Sequence, residues 1–314
     1  MKDFILVTGG AGFIGSHLCD YLIKKSFNVI AIDNLSTGSY DNISHLIENK
    51  KFSFINHDIT KKFIIKKSIN TIFHLASPAS PMDYLKMPLE TMRVSSYGTE
   101  NILKIAKKKK SKIVIASTSE VYGNPLEHPQ KETYFGNVNP VGERSVYDEA
   151  KRFQEALVCS YRRLFGLDIK IARIFNTYGP RMKVDDGRVL PALISQTINN
   201  KNLTVFGDGN QTRSFCYVDD LIEGLFKLHL SSCTSPINLG NTEEISINKL
   251  ANEIIILNNS NNKIIYKPLP NDDPLRRRPD ISKAKKILNW SPKISRKEGL
   301  KKTFDYFKEI LTKI

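Results

Sequence analysis

Little in this 314-residue chain can hold a metal or build a disulfide framework. Its four cysteines, Cys19, Cys159, Cys216 and Cys233, lie far apart and have no metal-site or redox spacing, so reduced core thiols are expected. The six histidines form no ligand cluster either, and no metal is expected. No apolar run approaches the length of a bilayer span. Met1-Lys-Asp-Phe4 leads straight into strand-like sequence, which leaves no room for a signal peptide; cytoplasmic residence without a membrane partner is expected. Internal repeats are absent, and no linker cuts the chain into independent pieces. Acidic residues are in short supply, 32 Asp and Glu against 47 Lys and Arg, for a net charge of +15. Such an excess raises the question of nucleic acid. Here the lysines are widely spread, and the densest run, from Lys107 to Lys110, falls where a helix ends and cations suit the helix dipole. No nucleic-acid partner is expected, although the charge would draw an anionic substrate.

What remains is ordinary globular sequence, 40% hydrophobic and 25% charged, long enough for a large core. Residues 4–8 read as a first strand, about 14–25 as a helix and 28–33 as a second strand. Between them lies Gly9-Gly-Ala-Gly12-Phe-Ile-Gly15. Each glycine has its own reason: a tight turn, backbone N–H groups open to a pyrophosphate at the helix start, and close packing of helix on strand. The spacing is G-x-x-G-x-x-G rather than the commoner G-x-G-x-x-G. Asp33 ends the second strand, where a carboxylate accepts from adenosine ribose hydroxyls and repels a 2′-phosphate. NAD is therefore expected as cofactor, in preference to NADP. The competing reading of Asp33 is a turn residue before Asn34.

Further strands are expected at 52–57, 71–76, 113–116 and 168–174, with helices at about 89–108 and from Tyr147 to about 165. Asp58 and Ile59, after the third strand, are placed for an adenine edge. The loop from Ser77 to Pro81 follows the fourth, beside the expected nicotinamide ribose. His74 lies inside that strand and reads as a satisfied core histidine. The alternation predicts an α/β fold, a Rossmann-type doubly wound parallel sheet. Past residue 175 the pattern loosens, with a helix at 190–200, short strands at 203–206 and 213–218, and helices near 219–230, 247–258, 282–288 and 296–311. The expected organisation is an NAD-binding domain over 1–175, with returning segments from about 205–235, and a smaller interleaved α/β substrate lobe over 176–314.

The stretch from Ala116 to Lys151 concentrates the chemistry. A buried β-branched strand delivers Thr118, Ser119 and Glu120 to the strand ends, where open α/β sheets bind ligands. Downstream, Tyr147 and Lys151 are four apart and share a helix face. An ammonium beside a phenol favours the phenolate, which would make Tyr147 a general acid/base near neutral pH. A Tyr-x-x-x-Lys pair is also common on ordinary helix surfaces; the glycine loop and Asp33 argue against that reading. The Pro-, Gly- and Asn-rich segment 123–144 reads as an ordered loop over the cleft.

Taken in order, these features resemble the extended short-chain dehydrogenase/reductases that act on nucleotide sugars, over essentially the whole chain. Within that group the chain looks most like the UDP-glucuronate decarboxylases. The residues that carry this are His74-Leu-Ala-Ser-Pro-Ala-Ser-Pro81, Thr118-Ser-Glu-Val-Tyr-Gly123, His128-Pro-Gln130 and Gly136-Asn-Val-Asn-Pro140. To these add Arg173-Ile-Phe-Asn-Thr-Tyr-Gly-Pro-Arg181, Gly209-x-Gln-Thr-Arg-Ser-Phe215 and Asp272-Asp-Pro-x-x-Arg-x-Pro-Asp280. The chain departs from the family at Phe135, usually Trp, at Ala150, usually Gly, and at Leu190-Pro191-Ala192, which is placed near the sugar pocket.

The resemblance implies NAD held by Gly9, Gly12, Phe13, Ile14, Gly15, Asp33, Asn34, Thr37, Gly38, Asp58, Ile59, Leu75, Ser77, Ala116, Tyr147 and Lys151. It implies UDP-glucuronate as substrate, bound by Pro81, Tyr84, Ser119, Glu120, Asn176, Arg188, Arg213 and Arg277. Arg213 and Arg277 would clamp the diphosphate, with the register open among Arg276, Arg277 and Arg278; a surface ion pair is the competing reading of each arginine. Thr118, Glu120, Tyr147 and Lys151 would form the catalytic set. Oxidation at C4, loss of CO2 and re-reduction would give UDP-xylose. Related dehydratases carry Asp-Glu where this chain has Ser119-Glu120, and serine is a poor acid for a departing hydroxyl. Related 4-epimerases have small or neutral residues at Glu120. A sibling 4-epimerase or 4,6-dehydratase is the alternative, and a non-catalytic NAD-binding scaffold the alternative of another class. Relatives dimerise through helices like those at 89–108 and 147–165, so a homodimer is expected.

Overall fold

The structure, a computed structural model, describes residues 3–268 and 276–312. The Asp272-Asp273-Pro274 part of the last motif lies outside the described residues. Strand β1 (Phe4–Thr8), helix α1 (Phe13–Lys24) and strands β2 (Asn28–Asp33), β3 (Phe52–Asn56) and β4 (Ile69–His74) come first. Helices α2 (Pro81–Lys86), α3 (Pro88–Arg93) and α4 (Thr99–Lys109) lead to β5 (Lys112–Thr118), then α5 (Ser145–Phe165) and β6 (Ile169–Ile174). With Ile237–Leu239 at one edge, these strands form a seven-stranded sheet in the order Ile237–Leu239, β6, β5, β4, β1, β2, β3. Every pairing is parallel. The expected doubly wound sheet is therefore present.

The sequence alternation explains how two helical layers cover it. Ile5, Val7, Val29, Ala31, Phe73 and Val114 point into one apolar cluster; Leu6, Ile30, Ile32, Ile72, Ile113 and Ile115 point into the other. Successive side chains of a strand face opposite sides, and both sides are dry. Because β1 has β2 on one flank and β4 on the other, the strand order reverses at β1. The loops after β1, β4 and β5 therefore open into one crevice, the usual ligand position of such sheets.

The helix expected at 89–108 is one rod with a local irregularity. Between α3 and α4 the backbone widens into a π-turn over Val94–Gly98. Gly98 lies against Ile59, where an added Cβ would come within 3.1 Å of the isoleucine Cδ1. The strand expected at 213–218 is split: Thr212–Ser214 pairs with Glu244–Ser246 and Arg276–Arg277, whereas Cys216–Tyr217 pairs with Thr177–Tyr178. The Ile237–Leu239 strand lies just past the 205–235 segment read as returning to the first domain. Among the described residues no helix is long and apolar enough to cross a membrane.

Candidate active site

The crevice is a cavity of about 1820 Å³ at the carboxyl ends of the sheet strands. It is lined by every residue expected to hold cofactor or substrate except Gly38, which instead packs on the Ala11 carbonyl and the Asp33 side chain. The volume exceeds what one drug-sized ligand fills.

The cofactor half starts at the β1–α1 turn. Gly9 takes φ +72°, in the left-handed region, with an added Cβ 2.8 Å from the Ala76 nitrogen. A Cβ on Gly15 would collide with the Gly9 carbonyl. Gly12 caps α1 without a side-chain cap bond, so the first N–H groups of a 12-residue helix face the cavity. Such a helix start is a phosphate cradle. Asp33 accepts from Ala11 N at 3.1 Å and Leu35 N at 2.8 Å, so it braces the glycine loop as well as lining the cavity. The two readings of Asp33 are thus compatible. Burial raises its pKa, and these backbone bonds oppose the rise. Asp58 and Asn34 accept from Thr60 and Ser36, which fixes the rim loops. The residues present fit a dinucleotide.

In the other half, β5 ends in Thr118, and the single turn Ser119–Tyr122 places Glu120 beside it. Tyr147, one turn into α5, is 6% exposed and stacks on Tyr84 with ring centroids 5.0 Å apart and planes 6° apart. Burial pushes its phenol well above the usual range and the Glu120 carboxylate adds to this; the Thr118 hydroxyl and Arg188 pull the other way. Lys151 is the residue expected to lower it. Its Nζ is 5.8 Å from the Tyr147 ring centroid and donates instead to Ala116 O at 3.0 Å and Gln154 Oε1 at 3.2 Å. Burial also brings Lys151 down to about 8, so the ammonium is itself easily lost.

Glu120 lies between two guanidiniums. Arg144 donates to Oε2 at 2.6 Å and Arg277 to Oε1. Burial works against the carboxylate, but Arg277 and Arg144 outweigh it and hold Glu120 below the usual range. Arg277 is the arginine expected to clamp the diphosphate. Its Nη1 donates to Glu120 and its Nη2 to Gly123 O at 2.8 Å. Of the three neighbouring arginines, Arg277 is 3% exposed at the cavity, while Arg276 is exposed and Arg278 pairs with Glu244. Arg213 lies opposite Arg277 on the adjacent strand. Arg188 also lines the cavity and forms an ion pair with Asp186. Leu190, Pro191 and Ala192 line the cavity, whereas Phe135 is 89% exposed and does not.

Three residues escaped the sequence reading. Arg144, three before Tyr147, looks like a helix-start residue until Glu120 is seen against it. Asp148 is 5% exposed with Oδ1 unpartnered, and burial and then Glu120 push it up to about 7. Gln154 carries no motif signal at all. The spacing of Arg144 and Tyr147 on one helix start was the one available clue.

A dinucleotide cradle and a basin for a second large ligand meet at a single Thr–Tyr–Lys set, which is the plan of an extended short-chain dehydrogenase/reductase. Residues 6–303 match the family described as GDP-mannose 4,6 dehydratase. UDP-glucuronic acid decarboxylase 1 of Arabidopsis thaliana is 51% identical over 304 residues, which are 97% of this chain and 69% of that protein. Decarboxylase 6 of the same plant is 50% identical over 297 residues, 94% of this chain and 86% of that protein. The Xenopus tropicalis UDP-glucuronic acid decarboxylase 1 is 47% identical over 307 residues, 98% and 72% of the two chains. The chain belongs to the GDP-mannose 4,6 dehydratase family and, within it, to the UDP-glucuronic acid decarboxylases. Among solved structures, the UDP-glucose 4-epimerase of Thermotoga maritima is similar with a TM-score of 0.90 at 30% identity, covering 98% of this chain and 99% of that one. The UDP-glucuronic acid 4-epimerase of Bacillus cereus, solved with UDP-glucuronic acid and NAD, gives 0.88 at 32% identity, with the same coverage of 98% and 99%.

Proposed function

We propose that this protein converts UDP-glucuronate to UDP-xylose and CO2, with NAD as a resident cofactor that is regenerated in each cycle. One observation carries the reading: a carboxylate held ionised between Arg144 and Arg277 stands beside the Thr118–Tyr147 pair in a cavity that also contains the glycine cradle. The decarboxylases at about half identity support it.

Bound NAD would supply a hydride acceptor for C4 of the sugar and return the hydride at the end. The Tyr147 phenolate takes the C4 hydroxyl proton as the hydride leaves and, as the phenol, gives it back on return. Thr118 shares the C4 oxygen and, like Arg188, favours the phenolate. Once C4 is a ketone, the C6 carboxylate belongs to a β-keto acid. The C5–C6 bond breaks, its electron pair passes into the C4–C5 enolate, and CO2 leaves uncharged. Hydrogen bonds from Thr118 and Tyr147 stabilise the oxygen that carries the charge. Protonation at C5 then restores the ketone for reduction.

Glu120 is assigned a positioning role. Two guanidiniums keep it ionised, which makes it a poor proton donor but fixes its oxygens beside C5. Arg213, Asn176 and Arg188 are the groups assigned to the diphosphate, with Pro81, Tyr84 and Ser119 around the sugar. Lys151 has two N–H groups engaged by Ala116 and Gln154 and offers the third to the nicotinamide ribose.

A homodimer is proposed through the surface of α2, α3 and α5. Leu85, Leu89, Met92 and Phe153 there, and Tyr97 in the adjoining π-turn, are all about half exposed or more, and α3 packs on α5. A contiguous apolar face of this kind favours burial against a second copy. Sedimentation showing a monomer at micromolar concentration would reject it. Cytoplasmic residence is supported by four cysteines that are all free.

The decisive assay incubates purified protein with UDP-glucuronate and identifies the product by NMR. UDP-xylose without net NADH supports the reading. UDP-galacturonate would assign a 4-epimerase instead, and an unchanged substrate would revive a non-catalytic NAD-binding role.

A further inference from the structure

Lys151 is 3% exposed, and among the described residues few charges act on it. Glu155, four residues on, favours its ammonium, but that carboxylate is already engaged by Arg173 and Ser117. Tyr147 is a ring contact only, at 5.8 Å, and His74 is kept neutral, burial bringing it down to about 3. What touches the ammonium besides the Ala116 carbonyl is the Gln154 side chain, itself 1% exposed.

Gln154 is one member of a longer chain. Its Nε2 donates to Thr99 Oγ1 at 2.8 Å, Thr99 Oγ1 meets His74 Nε2 at 3.0 Å, and His74 Nδ1 meets Thr8 Oγ1 at 2.7 Å. Thr8, Thr99 and His74 are at most 1% exposed. The bonds have a definite direction. An ammonium only donates, so Gln154 must turn its oxygen to Lys151 and its amide to Thr99. With the His74 proton on Nε2, Thr99 accepts from both Gln154 and His74 and donates to Val94 O at 3.3 Å. Thr8 then donates to Nδ1 and accepts from Ala76 N at 3.4 Å. Every hydroxyl and ring N–H between Gln154 and Thr8 is used. The π-turn over Val94–Gly98 is what carries Thr99 into this line.

We propose that Gln154 is a positioning residue for Lys151, holding its ammonium at the end of β5 through a closed chain of buried side chains that runs to Thr8. Thr8 immediately precedes Gly9, so the catalytic helix and the glycine loop are tied to a single strut. The meaning of this for catalysis rests on the cofactor-holding role proposed for Lys151. The strut itself does not depend on which sugar the protein uses, and neither does its test.

The test follows unfolding by urea from pH 7 to 10.5 in the cofactor-free protein with Gln154→Glu and Gln154→Met. Lys151 titrates in the fold near 8, below its ordinary 10.5, so its contribution to stability is present above that range and lost as pH falls through about 8. Gln154→Glu puts a carboxylate where the amide oxygen was, 3.2 Å from Nζ, and raises the proton affinity of Lys151. The stability gained between pH 8 and 10.5 should shrink, with the unfolding constant changing by roughly tenfold or more less than in the wild type across that window. Gln154→Met removes the acceptor and should extend the gain below pH 8. Apart from the carboxylate that Gln154→Glu introduces, the titrating groups are common to all three proteins and cancel in the differences. Parallel profiles, or shifts of the same sign for both variants, would overturn the proposal. If the glutamate variant does not fold, the methionine variant alone decides. A second readout, the pH dependence of NAD affinity, should break at a higher pH in Gln154→Glu; an unmoved break counts against the strut.

Discussion

Glu120 and Arg277 face each other, carboxylate to guanidinium, with Arg144 closing on the opposite oxygen at 2.6 Å. One carboxylate with two cations cannot easily take a proton. Removing one cation weakens that hold. Arg144→Gln should therefore raise the Glu120 pKa, and the acid limb of the pH–rate profile should move up by about one unit. A limb at the same pH in the variant would mean that Glu120 does not need its charge.

Tyr147→Phe keeps the stack on Tyr84 but removes the hydroxyl that exchanges a proton with C4. Turnover should fall by about 10²- to 10⁴-fold while NAD content is unchanged. Substantial activity in this variant, measured as CO2 release, would remove Tyr147 from its role.

The glycine cradle is tested at Gly15, where any side chain meets the Gly9 carbonyl. Gly15→Ala should displace the start of α1 and cost about tenfold or more in NAD affinity, roughly 1.4 kcal/mol or above. Calorimetric titration with NAD gives the number directly, and an unchanged dissociation constant would place the dinucleotide elsewhere.

Asp148 offers a stability test. Burial and Glu120 raise it to about 7, so its contribution to stability is full below its ordinary pKa and is lost as pH rises through about 7. At pH 8 the fold carries a buried, ionised oxygen without a partner. Asp148→Asn should stabilise the protein there by on the order of 1–2 kcal/mol, with the gain fading towards pH 4. Urea midpoints at the two pH values measure it.

The frame of the fold was readable because its signals are local and repeated. β1, β2, β4 and β5 are short β-branched runs, and the glycines sit between a strand and a helix with Asp33 at the next strand end. Ile237–Leu239 and Glu244–Ser246 are three residues each, too short for any period to show, and exist only through their neighbours. In the site, Thr118, Tyr147 and Lys151 were legible from order and spacing. Arg277 lies at the cavity as expected from its motif, but its contact with Glu120, 157 residues away, leaves no mark in the sequence. Lys151 was expected to act on Tyr147 because four residues span one helical turn. The turn brings the side chains to one face, but Gln154 and Ala116 decide where the ammonium points.

Decarboxylation itself is tested most directly with UDP-glucuronate labelled with ¹³C at C6, turned over in D2O. Labelled CO2 should appear in step with substrate loss, and the UDP-xylose formed should carry one deuteron at C5. Label retained in a UDP-hexuronate while the substrate is consumed would contradict decarboxylation and leave epimerisation in its place.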